Sequence, residues 1–76
     1  MFKIDNSKQK KHITANGKYF ISTNRVWDSG WETMVFARNP ETGEIDFTGV
    51  YRDHYNDEAE AYLGHDETIY FWETKE

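Results

Sequence analysis

Two patterns of apolar residues divide this chain. Up to about residue 52, apolar and polar residues tend to alternate, which is the period of a β-strand with one buried face. From residue 57 onward, apolar residues return every three or four positions, which is the period of an amphipathic helix. The sequence therefore predicts strands first and one C-terminal helix after them.

Turn residues mark the limits of the predicted strands. Asn16-Gly17 lies between two β-prone runs and predicts a hairpin, because type I′ turns need positive φ at both central positions. Residues 28–30 and 39–43, both ending in glycine, predict two further turns. Between these turns we predict strands over residues 12–15, 18–23, 31–38 and 44–52, with a short strand over residues 1–4.

Two segments depart from simple alternation. Residues 6–11 contain no apolar side chain, so we predict a solvated loop or basic arm there. Gly49 interrupts the last predicted strand and indicates a bulge. Alternation along that strand puts Ile45, Phe47 and Tyr51 on one face.

The predicted helix spans residues 57–74. Asp57 is the predicted N-cap with Glu60 at the third helical position, which is the aspartate form of a capping box. Gly64 weakens the helix by about 1 kcal/mol relative to Ala, and its missing side chain allows close approach to a strand. The apolar stripe of the helix consists of Ala61, Tyr62, His65, Thr68, Ile69 and Trp72.

These elements predict a single domain over residues 1–76 with an α+β fold. Its architecture is an antiparallel three- to four-stranded β-meander packed against one C-terminal α-helix. Leu63, Tyr70 and Phe71 fall outside the helical stripe, and exposed apolar area of this kind often marks an interface. A homodimer is therefore one hypothesis, and a rotated or covered helix is the alternative.

Composition is typical of a small cytoplasmic domain. Aromatic residues make up 17% of the 76 residues, and each buried ring removes on the order of 150–250 Å² from water. A compact core is therefore expected without disulfide bonds or a structural metal. The chain contains no cysteine, which excludes disulfides and thiolate metal sites and fits a reducing compartment. It shows no apolar run of about 18 residues and no signal-peptide block, so we expect a soluble protein in the cytoplasm.

Charge is unevenly distributed along the chain. Residues 1–25 carry six basic residues and one acid, whereas residues 26–76 carry thirteen acids and three basic residues. The net charge of the whole chain is −5. Separation of this kind creates an extended potential, which affects partner choice and association rate more than fold. It favours a binding role over catalysis.

The acidic residues have two interpretations. One is a solvated helix face with turn residues, which is the usual place for Asp and Glu. The other is an anionic surface that occupies the basic groove of a nucleic-acid-binding protein, because carboxylates on one side imitate duplex phosphates, which fall every ~1.7 Å along the axis. The candidate protein-binding residues are Asp53, Asp57, Glu58, Glu60, Asp66, Glu67 and Glu73, extended by Glu41, Glu44 and Asp46.

The basic segment over residues 8–12 supports an alternative hypothesis. A cationic arm beside an aromatic sheet binds single-stranded nucleic acid through stacking and phosphate contacts. The aromatic candidates, which core packing explains equally well, are Tyr19, Phe20, Trp31, Phe36, Phe47 and Tyr51. Against this hypothesis, the acidic remainder of the chain would repel phosphates.

Known catalytic motifs are absent from the sequence, so we predict neither an enzyme nor a cofactor. The nearest candidate for a metal-dependent enzyme combines His54 and His65 with neighbouring carboxylates. The spacing of the two histidines matches no known ligand pattern. His65 also lies on the apolar stripe, where a hydrogen-bonded core histidine is the ordinary interpretation.

Three segments of the chain resemble a family of small phage and prophage proteins. They are residues 18–23 (KYFIST), residues 31–36 (WETMVF) and residues 58–72, which contain Ala61 and Gly64-His65-Asp66-Glu67. The family shows a similar Tyr-Tyr-Ile-Ser-Thr segment, a Glu-Thr-Met-Val-Phe segment and a closing helix with Ala-x-x-Gly-His-Glu and a late Trp. This chain departs from the family at Asp66, where the family has Glu, and at Tyr70-Phe71, where polar residues are expected.

The resemblance implies a phage origin and no particular activity, because no function is established for that family. Small acidic phage proteins frequently bind and disable a host protein, and nucleic-acid mimicry is a recurring route. The leading hypothesis is therefore a non-enzymatic inhibitor in the cytoplasm of a bacterial host. It would bind a basic, nucleic-acid-binding host protein through the acidic surface, as a DNA mimic.

Overall fold

The computed structural model describes residues 4–26 and 30–75, with side chains from residue 9 onward in those ranges. Four strands form one antiparallel sheet in chain order, and one helix follows them. The elements are β1 (Ile4–Ile13), β2 (Tyr19–Val26), β3 (Gly30–Arg38), β4 (Ile45–Tyr55) and α1 (Glu58–Thr74). The predicted α+β fold, with an antiparallel meander and one C-terminal helix, is confirmed.

The turns that can be compared lie where the sequence predicts them. Gly17 and Gly43 have φ of 75° and 78°, values that favour glycine. The first connection is longer than a two-residue turn, since the Thr14 N–H donates to the Tyr19 carbonyl at 3.1 Å. Of the turn predicted at 28–30, only Gly30, the first residue of β3, lies within the described residues.

The prediction of a solvated loop over residues 6–11 is wrong. These residues belong to β1, which pairs with β2 through Ile4 and Asp5 and again from Lys10 to Ile13, with an irregular register between. An edge strand is paired on one side alone, so backbone hydrogen bonds can hold a polar segment, and lysines suit an exposed edge. The strand predicted at residues 1–4 lies mostly outside the described residues.

The predicted bulge at Gly49 is confirmed, but the predicted faces of β4 are wrong. Gly49 has φ of 82°, and the register with β3 shifts around it. Ile45 lies opposite Arg38, whereas Tyr51 lies opposite Val35. Opposed residues share a face, and positions 35 and 38 of β3 point to different faces, so Ile45 and Tyr51 lie on opposite faces.

α1 covers one face of the sheet with the predicted stripe. Ile21, Val35 and Trp72 form the buried cluster, and the Tyr19 ring packs on Trp72 with centroids 4.6 Å apart. Ala61, His65, Thr68 and Trp72 of the predicted stripe are buried, whereas Tyr62 and Ile69 are half-buried. Leu63, Tyr70 and Phe71, which lie outside the stripe, are exposed as predicted.

His65 is a hydrogen-bonded core histidine, as predicted. Its Nδ1 lies 2.6 Å from the Thr23 hydroxyl, which lies 2.6 Å from the Thr33 hydroxyl. All three side chains are buried. The polar atoms therefore satisfy one another between α1, β2 and β3, which is the condition for burying them at little cost.

Gly64→Ala tests how closely α1 approaches the sheet. A Cβ at this position would overlap the hydroxyl and ring of Tyr55 on β4. We therefore expect a loss of about 2 kcal/mol in the free energy of unfolding, although Ala favours helices. Urea unfolding measures the loss, and the control Leu63→Ala on the exposed face should stay within about 0.5 kcal/mol of wild type. Stability equal to or above wild type in Gly64→Ala would contradict this packing.

His65 predicts a pH dependence of stability. Burial lowers the pKa of His65 below its ordinary value of 6.5, so just below pH 6.5 the unfolded chain binds more protons at this site than the folded chain. The contribution of His65 is therefore complete above about pH 7 and decreases as the pH falls through 6.5 towards the lowered pKa. Urea unfolding at several pH values should show this decrease, and His65→Gln should remove it. Loss of the decrease in the control His54→Gln would contradict the assignment.

Candidate acidic groove

A groove of about 280 Å³ lies between β4 and α1. We name it the acidic groove, because two of its lining side chains are carboxylates contributed by different elements. Its lining residues are Tyr51, Asp53 and Tyr55 from β4 and Gly64, Glu67, Thr68, Phe71 and Trp72 from α1.

Two glycines shape the acidic groove. The bulge at Gly49 turns the later part of β4, so that Tyr51, Asp53 and Tyr55 face the helix opposite residues 35, 33 and 31 of β3. Gly64 lets the Tyr55 ring lie directly against the helix backbone, where a side chain would overlap it. The helix and the edge strand are thereby held together at one end of the groove.

The charges of Asp53 and Glu67 act on the same part of the groove. The Tyr51 hydroxyl donates to Asp53 Oδ2 at 3.4 Å. Burial raises the pKa of Tyr51 above its ordinary value, and the negative charges of Asp53 and Glu67 raise it further. Both carboxylates line the groove and add negative potential at the Tyr51 hydroxyl.

Aromatic rings supply the walls of the groove beside these carboxylates. Trp72 contacts Tyr51 and Phe71, with ring centroids 6.4 Å and 5.6 Å apart. Tyr51 is 40% exposed and Phe71 is 58% exposed, so both offer surface to a ligand. Carboxylates beside accessible ring surfaces form an environment that suits a cationic group such as an ammonium or a guanidinium.

Three of the predicted binding residues accept hydrogen bonds outside the groove. Glu73 accepts from the Ala15 N–H at 2.9 Å and lies 2.6 Å from His12 Nε2, and these contacts lower the pKa of Glu73. Asp57 caps α1 by accepting from the Glu60 N–H at 2.8 Å, as predicted. Asp46 accepts from the backbone N–H and the hydroxyl of Thr48.

The remaining predicted acids divide between two flanks of the helix and a turn. Glu60 precedes Glu67 by seven residues and so lies on the groove side of α1. Glu58 accepts from the Tyr62 hydroxyl at 3.2 Å, and Lys10 lies over the Tyr62 ring, 4.4 Å from its centroid. The other predicted acids are Asp66, exposed on α1, and Glu41 and Glu44, exposed around the 39–43 turn. The ten predicted residues therefore do not form one set, and Asp53 with Glu67 is the pair that lines the groove.

The aromatic and basic candidates for nucleic-acid binding also divide between the faces. Tyr19, Trp31 and Tyr51 lie on the helix face, whereas Phe20, Phe36 and Phe47 lie on the opposite face. Lys10 points to the helix side, and Lys11 lies opposite Ser22 on the other face. The lysines of the predicted cationic arm therefore lie on opposite faces of β1.

The histidines of the metal hypothesis do not meet. His54 lies opposite Glu32 on the face away from α1, whereas His65 is buried beneath the helix. Over residues 4–26 and 30–75, no group of three or more His, Cys, Asp or Glu side chains is arranged to hold a metal ion. Over the same ranges, no helix combines the length and apolar character needed to cross a membrane.

Comparison of the chain with protein-family models, with curated proteins and with solved structures gave no match.

Sequence reasoning missed the aromatic part of the groove. The sequence pattern gives Tyr55 no role, and the helical period places Trp72 on the apolar stripe and Phe71 outside it. The signal that could have found the groove is the pair of glycines. The three extra residues of β4 around Gly49 reverse its alternation, and Gly64 opens the helix surface where Tyr55 packs.

Titration of Tyr51 tests whether the two carboxylates converge. Asp53→Asn and Glu67→Gln should each bring the raised pKa of Tyr51 closer to its ordinary value of 10.0, because each removes a negative charge that favours the protonated phenol. NMR of the assigned Tyr51 ring from about pH 9 to 12 measures the shift. The control Asp66→Asn removes a charge outside the groove and should leave Tyr51 unchanged. Equal shifts in all three variants, or none, would contradict the convergence.

Proposed function

We propose that this protein is a non-enzymatic binding module whose acidic groove takes a Lys or Arg side chain of a partner protein. The observation that carries the proposal is the convergence of Asp53 on β4 and Glu67 on α1 at one aromatic-lined groove. The carboxylates would bind the cationic head, and the rings of Tyr51 and Phe71 would cover its aliphatic stem.

The size of these interactions determines what kind of partner fits. An exposed ion pair contributes about 0.2–1 kcal/mol, and an exposed cation–π contact contributes about 0.5–1 kcal/mol. One cation in the groove therefore adds roughly 2 kcal/mol, or about a thirtyfold gain in affinity. Further contacts around the groove must supply the rest, and Glu60, on the same side of α1, suits a basic segment with several cations.

The proposal differs from duplex mimicry in how the carboxylates must be arranged. Mimicry requires a line of charges along one side, but the predicted acids are divided among β4, the flanks of α1 and the 39–43 turn. The groove requires the pair formed by Asp53 and Glu67. Phage origin and inhibition of a host protein stay predictions from the resemblance, and the groove proposal does not depend on them.

Titration with a fluorescent hexa-arginine peptide, followed by anisotropy and by amide NMR, tests the proposal. Amide shifts should concentrate in β4 and α1 around the groove. The double variant Asp53→Asn/Glu67→Gln should weaken binding about tenfold, because it removes two ion pairs.

The matched control is Glu41→Gln/Asp66→Asn, which makes the same change in net charge away from the groove. It should bind the peptide within about twofold of wild type. Equal weakening by both double variants would show that net charge alone attracts the peptide and would overturn the groove. A partner captured from bacterial lysate and released by duplex DNA, with binding unaffected by Asp53→Asn/Glu67→Gln, would favour duplex mimicry instead.

A further inference from the structure

The sheet face away from α1 carries an apolar cluster that the helix does not cover. We name it the open sheet face, and its apolar residues are Ile13, Phe20, Met34, Phe36, Ile45 and Phe47. Phe36 contacts Phe20 and Phe47, with ring centroids 6.1 Å and 5.2 Å apart. Phe36 is 8% exposed, so most of the exposed apolar surface comes from Phe47 at 70% and Ile13 at 48%. The other three members are half-buried.

An antiparallel sheet with one solvated face normally alternates apolar and polar residues. The central strands depart from this rule, since Phe20 is followed by Ile21 on β2 and Val35 by Phe36 on β3, with one member of each pair on each face. Contiguous apolar surface of this kind marks a contact site. The second face is therefore built to be covered.

We propose that a second copy of this chain covers the open sheet face. The two sheets would stack face to face about 10 Å apart, with the two copies of α1 on the outside. Four strands spaced by ~4.8 Å and a nine-residue β3 give the whole face, polar rows included, an area on the order of 500 Å² in projection. The row of Phe20 and Phe36 lies beside a row that contains Lys11, Ser22 and Arg52. Side chains that project from the sheet add to the accessible area that each partner buries, which brings that area towards the roughly 800 Å² per partner of specific interfaces.

The charges at the rim of this face favour a protein surface over nucleic acid. Arg52 lies 3.5 Å from Glu32, and Arg38 donates to the Gly17 carbonyl at 3.0 Å. These two basic side chains are thus engaged within the protein, and Lys11 is a further cation on this face, opposite Ser22. A single-strand platform needs a longer cationic track for phosphates. In a two-fold dimer, the Arg52–Glu32 pair of one copy can also exchange partners with the same pair of the other copy.

The position of the acidic side chains also favours this face over the helix side. Stacked sheets with a helix layer on each outer side keep the two acidic grooves roughly 20 Å apart, well beyond a screening length of about 8 Å. A contact through Leu63, Tyr70 and Phe71 would instead bring Asp66 and Glu67 of the two copies together. The sheet-side dimer thus differs from the helix-side dimer that the sequence suggested, and it leaves both grooves accessible.

Sedimentation equilibrium of the whole chain tests the proposal. Wild type should associate to a dimer below about 100 μM. Phe47→Ser should weaken the dimer at least tenfold, because each substitution counts twice in a two-fold interface. Phe47 is exposed in the monomer, so circular dichroism should show an unchanged fold. The matched control is Tyr70→Ser on α1, which removes an equally exposed ring (74%) and should leave the dimer intact.

Three results would overturn the proposal. Wild type that stays monomeric at about 100 μM would show that no second copy binds with useful affinity. A dimer that Tyr70→Ser dissolves and Phe47→Ser preserves would place the contact on the helix. A monomer that binds a fluorescent single-stranded oligonucleotide, with affinity lost in Phe47→Ser and Lys11→Glu, would assign the open sheet face to nucleic acid.

Discussion

The bulge at Gly49 is the constraint on which both surfaces of this protein depend. Before the bulge, Ile45 and Phe47 of β4 lie on the open sheet face, and after it Tyr51, Asp53 and Tyr55 lie on the helix face. With strict alternation these side chains would share one face, and the acidic groove would lose its wall. Gly49 permits the change because its φ of 82° is costly for other residues. A Cβ there would also lie 3.2 Å from the Met34 methyl group.

The two sides of the sheet present different surfaces as a result. The helix side carries the acidic groove on one flank, and on the other flank Glu73 is tied to His12 and the Ala15 N–H. The opposite side carries the open sheet face, where Glu32 lies near Arg52. One surface suits a cationic partner segment and the other suits an apolar contact, so a dimer through the open sheet face would present two grooves to solvent. Two linked grooves would bind a multivalent basic partner more tightly than one.

Local signals determined which parts of the fold could be predicted. The capping aspartate, the helical stripe and the turns at Gly17 and Gly43 each depend on a few neighbouring residues, and the structure has them where the sequence indicates. The alternation does not predict the middle of β1, residues 6–11, because an edge strand needs backbone pairing more than an apolar face and this segment is entirely polar. The number of acidic residues suggests one acidic surface. Where each acid lies, however, depends on the register of the strands and on the way α1 packs against the sheet. Sequence spacing cannot show that Glu73 reaches Ala15, 58 residues away, or that Asp53 and Glu67 share a groove.

The most direct test of this account is the set of proton–proton contacts made by the ring of Tyr51. A nuclear Overhauser spectrum of the whole chain should connect the Tyr51 ring to the Trp72 indole, and the Tyr55 ring to the α-protons of Gly64. These contacts require the bulge and place the walls of the groove on the helix side. Contacts from Tyr51 to Phe36 or Phe47 would instead show that β4 alternates without a bulge, and neither the groove nor the open sheet face would exist as described.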